Sequence, residues 1–288
     1  SKTAEAAAAA RAYHAGYQPP LVFDDPLARA FLRGFWRLVL ATPLRYIVFE
    51  KGMKDLKSVG GQVLARSRFA EDRLALAIDR GVRQYVIIGA GYDSYCLRQP
   101  HGESALRIFE IDHPATQREK RRRLQAAGSG PLPENLEFVP VYFEREQLSD
   151  GFTRSGFSGG SPAFFSWLGT TPYLTNRATL ASLSMIVEQA APGSEIVFDF
   201  LGPERLLRAD SHRQVYRTLK AFTERRGEPL IGEFEPGDLA AELEAMGLEM
   251  LEQLDHEAQD GLYFQVRGDH LCAMPGSYLV HARVRRTD

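Results

Sequence analysis

Gly89 and Gly91 close the apolar run Tyr85–Ile88 as Gly89-Ala90-Gly91-Tyr92-Asp93, and Asp112 ends a second apolar run 21 residues later (112 − 91 = 21). A residue without Cβ lets backbone approach a bound molecule closely. A carboxylate about twenty residues beyond such a loop can accept both hydroxyls of a ribose. The third glycine of G-x-G-x-x-G, which helps present helix N-terminal amides to a pyrophosphate, is absent: Ser94 stands there. S-adenosyl-L-methionine (SAM) carries adenosine without a phosphate, so a shortened loop suits it. A nicotinamide dinucleotide uses the same ribose acid, and these two features leave both cofactors open. The glycines alone would equally serve an ordinary strand-to-helix turn.

SAM also carries an amino-acid carboxylate, which a buried site would meet with a bidentate arginine. Arg66 and Arg68 precede the first strand on a helical stretch, where a solvated helix surface is the competing account. Methyl transfer to an alcohol or phenol requires a proton to leave the acceptor, whereas a carboxylate acceptor needs no base. Tyr173 and His113 are the candidate catalytic groups.

The elements that must position these residues follow from periodicity. Gly61–Arg80 places Val63, Ala70, Leu74, Ala77 and Ile78 on one helical face and stops at Gly81. Strands are expected at Tyr85–Ile88, Leu106–Ile111, Leu136–Val141, Ala163–Leu168 and Ile196–Phe200, with helices at Pro114–Gln125 and, capped by Thr175, at Asn176–Ala191. Apolar strands alternating with helices indicate a parallel sheet covered on both faces. Further helices are expected at Ser211–Arg226 and Leu239–Met246, the latter stopped by Gly247, and a closing hairpin of Tyr263–Arg267 with Ser277–Arg283. The fold expected is α/β, Rossmann-like, with a seven-stranded mostly parallel sheet. Residues 1–60 would form an N-terminal helical lid and 61–288 the cofactor-binding unit.

Composition bounds the rest. With 44% hydrophobic and 25% charged residues the chain reads as an ordinary globular protein. A net charge of −2 gives no overall drive toward nucleic acid or an anionic membrane. No run approaches the roughly 20 apolar residues of a membrane span. The alanine run Ala6–Ala10 is followed at once by Arg11, so it reads as a helix rather than a signal peptide. Cys96 and Cys272 fit neither a disulfide framework nor a metal pattern, the seven histidines lack ligand spacing, and no metal is expected. A reducing cytoplasm is the expected location.

Two motifs compete with this reading. Gly156-Phe157-Ser158-Gly159-Gly160 matches the nucleophile elbow G-x-S-x-G, but the stretch 150–155 before it looks polar and loop-like, and Pro162 leads into a strand instead of a helix. Arg118–Arg123 is a basic run, read as a solvated helix face because the whole chain has no basic excess. Phe31, Phe35 and Trp36 would pack a lid or line a substrate pocket, and the sequence does not separate the two.

Taken together, the ordered motifs resemble the leucine carboxyl methyltransferase-like family of SAM-dependent methyltransferases, in particular its bacterial branch. They are Ala10-Arg11-Ala12, Asp25-Pro26-Leu27-Ala28, Ala65-Arg66-Ser67-Arg68-Phe69 with Asp72, Gln84–Asp93, Phe109–Pro114, Phe165–Thr175 and Pro192-Gly193-Ser194, and they cover nearly the whole chain. The resemblance implies a class I methyltransferase fold, SAM as cofactor and S-adenosyl-L-homocysteine (SAH) as product. It implies a cofactor shell of Arg66, Arg68, Gly89, Ala90, Gly91, Asp93, Glu110, Asp112, His113, Tyr142, Phe143 and Ser166. It further implies an O-methyltransferase acting on a hydroxyl or carboxylate of a small metabolite or peptide, with neither nucleic acid nor membrane as partner. Two positions depart from the family pattern: Tyr142 stands where an aspartate is common, and Leu168 where a glutamate is common. Both remove polar contacts, which shifts adenine recognition toward stacking and backbone. The competing functions are an NAD(P)-dependent oxidoreductase on a similar fold and a non-catalytic SAM-binding protein.

Overall fold

Val86 and Ile88 point to one side of a central strand and Tyr85 and Ile87 to the other, and all four are buried. Burial on both faces is why this strand reads as continuously apolar instead of alternating. The computed structural model describes residues 2–52, 57–143 and 145–285. In chain order the elements are α1 (Lys2–Tyr17), a 3₁₀ turn at Pro26–Phe31, α2 (Gly34–Ala41), α3 (Leu44–Tyr46), α4 (Lys57–Asp79), β1 (Gln84–Ile88), α5 (Tyr95–Arg98), β2 (Arg107–Asp112), α6 (Pro114–Ala127), β3 (Leu136–Pro140), α7 (Leu148–Arg154) and β4 (Ala163–Trp167). The second half adds α8 (Asn176–Gln189), β5 (Glu195–Leu201), α9 (Asp210–Glu224), α10 (Pro236–Ala245), β6 (Leu248–Leu254), α11 (His256–Tyr263) and β7 (Ser277–Val284).

The seven strands form one sheet in the order β3-β2-β1-β4-β5-β7-β6. The first five are parallel, and β7 runs antiparallel to both β5 and β6. The strand order reverses between β1 and β4, and in such sheets that crevice, at the carboxyl ends of the strands, receives ligands. One face packs Phe109, Phe165, Trp167 and Phe198 against Leu183, Ile186, Leu239 and Leu243. The other packs Tyr85, Ile108, Phe164 and Val197 against Phe69 and Leu74 of α4. A third cluster joins Ala8, Ala12 and Phe31 to Tyr92 and Leu124, which seats the N-terminal helices on the sheet's carboxyl edge. Helix α4 is continuous across positions 60 and 61.

Three expectations are corrected. The strand expected at Tyr263–Arg267 does not form: α11 ends at Tyr263, and the hairpin partner of β7 is β6. Asp255 starts α11 by accepting the Ala258 amide at 2.8 Å, a cap that ends the strand register. The stretch 150–155 is not a loop, because α7 covers Leu148–Arg154, with Gln147 and Asp150 forming a capping box. Gly156–Gly160 nonetheless lies between α7 and β4, so no helix follows Ser158 and the nucleophile-elbow geometry is missing. Third, the basic run is not wholly solvated. Lys120 is buried against Glu110 at 2.6 Å, while Arg123 bonds the Phe31 carbonyl and pairs with Glu5, so one side of α6 anchors the N-terminal helices.

Candidate cofactor and active site

The β1 exit loop is shaped by its two glycines. Gly89 has φ +66° and Gly91 φ +49°, conformations that favour glycine. A Cβ on Gly89 would sit 2.8 Å from Thr170 Oγ1, so the loop is also closed to a side chain by its neighbour. The Gly89 and Ala90 amides both donate to the Ile111 carbonyl, at 2.8 and 3.2 Å, which ties the loop to the end of β2. There Asp112 accepts the Gly91 amide at 2.5 Å on one oxygen and the His113 amide at 2.6 Å on the other. Each carboxylate oxygen keeps a lone pair beyond those bonds, enough to accept two further hydroxyls.

A cleft of ≈ 540 Å³ opens over this loop. Its floor is Ile87–Asp93, Asp112 and Ser166; one wall is Leu168, Gly169, Thr170 and Tyr173; its roof is Thr3, Ala4, Ala7 and Arg11 of α1 with Gly227, Glu228 and Pro229. Arg66 and Ser67 enter from α4, and Phe143 from the segment after β3. The Arg66 guanidinium lies against Gly169, where any Cβ would strike it, and donates to Asp199 at 3.1 Å. Asp199 is nearly buried and also accepts the Gly169 amide at 2.6 Å.

Of the residues singled out in the sequence, the structure brings Arg66, Gly89, Ala90, Gly91, Asp93, Asp112, Phe143, Ser166 and Tyr173 around one cleft. Four lie elsewhere. Arg68 points away, pairing with Asp72 at 2.7 Å with about half of its side chain exposed. It is two residues from Arg66, and neighbours at that spacing diverge on a helix. Glu110 shares the strand face of Asp112 but is buried in its ion pair with Lys120 and lies outside the cleft lining. His113 caps α6, its Nδ1 accepting the Ala115 amide at 3.1 Å, and lies outside the cleft lining. Tyr142 packs edge-on against His113 and under Arg145, so Phe143 is the aromatic of that pair facing the cleft. Burial pushes the Tyr173 phenol up, opposed by the Arg66 charge, so this residue keeps its proton at neutral pH and presents an O–H donor.

Several lining residues carried no recognised signal. Thr3, Ala4 and Ala7 sit in an alanine-rich stretch with no distinguishing chemistry, and Glu228 belongs to a loop with no motif. Asp199 had a signal: it is the one acid in the otherwise apolar run from Ile196 to Leu201. A buried acid there requires a partner, and Arg66 is that partner.

The residues present fit SAM. Left-handed glycines leave room for backbone contact, Asp112 has free acceptor capacity, and an arginine reaches the far end of the cleft. Sheet order, parallel strands and an antiparallel β7 inserted beside β5 define a Rossmann-like fold of the class I methyltransferase type. Solved structures agree: a methyltransferase structure from Thermobifida fusca YX superposes with a TM-score of 0.57 at 15% identity over 96% of this chain and 94% of that chain. A DUF574 family protein from Streptomyces avermitilis gives 0.57 at 14% identity over 96% of both.

Sequence comparison narrows the class. The model of the leucine carboxyl methyltransferase family matches residues 4–187, which contain most of the N-terminal helices, the glycine loop and Asp112. YktD of Bacillus subtilis (strain 168), which carries the name of a SAM-dependent methyltransferase, is 32% identical over 98% of this chain and 97% of its own length. A Mycolicibacterium paratuberculosis protein named for the same activity is 32% identical over 74% of this chain and 67% of its own. The chain belongs to the leucine carboxyl methyltransferase family of SAM-dependent methyltransferases. SAM is therefore the cofactor, and the oxidoreductase alternative is set aside.

Proposed function

We propose that this enzyme transfers the methyl group of SAM to an oxygen, a hydroxyl or carboxylate, of a small metabolite or peptide. Membership of a family named for carboxyl methylation carries the reading, since that chemistry joins methyl to oxygen. SAM supplies an electrophilic methyl group on a sulfonium. Gly89 and Gly91 admit its methionine part to the loop, Asp112 accepts the ribose hydroxyls, Phe143 stacks beside adenine, and Arg66 meets the carboxylate. Ala90, Asp93 and Ser166 complete the floor.

The acceptor enters beside Leu168, Thr170 and Tyr173, beneath the roof formed by Thr3 and Glu228. Tyr173 hydrogen-bonds the acceptor oxygen and holds it in line with the methyl group; orientation of this kind is a large part of what catalysis requires here. Residues 1–60 act as a lid, because α1 lies directly over the cleft. A cytoplasmic location belongs to the same proposal; both cysteines are free, and no helix among the described residues is long and apolar enough to cross a membrane.

Incubating the enzyme and methyl-labelled SAM with a metabolite and peptide extract tests the acceptor chemistry. Label released as methanol by mild base identifies a carboxyl ester, and label that resists base but not ether cleavage identifies a hydroxyl acceptor. Label found on nitrogen, carbon or sulfur would reject oxygen.

A further inference from the structure

Asp199 and Arg66 stand 133 residues apart in sequence and meet in the cleft wall. The Arg66 side chain leaves α4 with four rotatable bonds, and left alone it would sample many directions across the cleft. Two features remove that freedom. NH1 donates to Asp199 Oδ2 at 3.1 Å, and the guanidinium plane lies on Gly169, whose φ of +66° and missing Cβ leave the space. The other Asp199 oxygen accepts the Gly169 amide at 2.6 Å, and the Thr171 hydroxyl donates to the Asp199 carbonyl. A single residue at the end of β5 thus fixes the arginine and the Leu168–Thr170 turn that lines the cleft. One guanidinium edge is committed to Asp199. The remaining donors of a five-donor group are left for the cleft.

We propose that Asp199 is a positioning residue that orients Arg66 toward the carboxylate of SAM. This rests on the assignment of Arg66 given above. The carboxylate of Asp199 makes no contact with the cofactor; it acts through the arginine. Loss of its charge should therefore affect only ligands that carry a carboxylate.

Calorimetric titration of the full chain with SAH and decarboxylated SAM separates the possibilities, and 5′-methylthioadenosine reports whether the nucleoside site is intact. Asp199→Asn is expected to weaken SAH at least fivefold, with decarboxylated SAM and methylthioadenosine changed less than twofold. Equal loss for SAH and decarboxylated SAM would overturn the proposal, since it would mean contact with the ammonium group or general damage. Unchanged SAH affinity would overturn it as well. Asp199→Glu, which keeps the charge but displaces the guanidinium, should show the same selective loss if the asparagine variant fails to fold. The underlying assignment fails separately: Arg66→Ala leaving SAH affinity unchanged would remove the arginine from the site whatever Asp199 does.

Discussion

Arg11 and Asp25 form a buried ion pair in which Nε lies 2.8 Å from Oδ2, and the same guanidinium donates from NH2 to the Tyr92 carbonyl at 2.6 Å. One arginine therefore ties α1, the turn before Pro26 and the glycine loop together. Burial pushes the Asp25 carboxyl up, but Arg11 and, at 3.6 Å, Arg98 hold it below the usual carboxylate range. Replacing Arg11 with Met leaves Asp25 without its main partner in a dry site. Breaking a buried pair from one side costs roughly 3 kcal/mol or more. The expected result is a lower denaturation midpoint together with faster amide exchange in α1; unchanged exchange there would show that the roof is held by other contacts.

Asp112 offers the most direct residue-level test of the nucleoside site. Asp112→Asn keeps the shape but replaces one charged acceptor with an amide, so the Gly91 amide loses a charge-assisted partner, as would a ribose hydroxyl held by the proposed site. Such bonds are about twice as strong as neutral ones. SAM affinity should fall by roughly one to two orders of magnitude, which corresponds to about 1.4–2.8 kcal/mol. Equal affinity in a titration would displace Asp112 from the site.

The buried Lys120–Glu110 pair makes a contrasting prediction. Lys120 and Glu110 are both nearly inaccessible and 2.6 Å apart. Lys120→Met strands the Glu110 carboxyl and should cost roughly 3–5 kcal/mol. The effect should appear in chemical denaturation, while SAM affinity of the folded fraction stays within about twofold, since Glu110 lies outside the cleft lining. A large affinity loss in folded protein would bring Glu110 back toward the cofactor.

The N-terminal helix α1 carries a pH response. His14 is inaccessible to solvent, and its Nε2 accepts the Val22 amide at 2.8 Å, which places the ring proton on Nδ1 facing Gln18. Burial lowers its pKa from 6.5 to about 4. The unfolded chain thus binds the proton first, so stability is full above pH 6.5 and declines as pH falls through that value toward 4. The total is about 3 kcal/mol at the low end. Melting temperature should drop between pH 7 and 5, and His14→Gln should flatten that part of the profile; a profile unaltered by the substitution would assign the drop to other groups.

How much of this was legible in sequence depended on distance along the chain. The parallel strands were legible as apolar runs, most clearly β1, β4 and β5, which are buried on both faces, and the glycine loop with Asp112 lies within one strand-helix-strand unit. Leu248–Leu254 did not. Leu, Glu, Met and Gln favour helix locally, and pairing with β7 imposes the strand. Tyr263–Arg267 erred the other way, its aromatic and branched residues resembling a strand while the Asp255 cap commits the preceding residues to a helix. The Arg66–Asp199 contact and the α1 roof arise from pairings across the whole chain, which spacing does not encode. Arg68 faces elsewhere because residues two apart on a helix diverge, and Glu110, on the same strand face as Asp112, is taken up by Lys120 instead of the cleft.

Isothermal titration of the unmodified protein with SAM is the most direct test of the central claim that this cleft is a SAM site. One-site saturable heat with SAM and SAH, and none with NAD(H) or NADP(H), is the result expected. Absence of heat with SAM, or saturable binding of a nicotinamide dinucleotide, would contradict it.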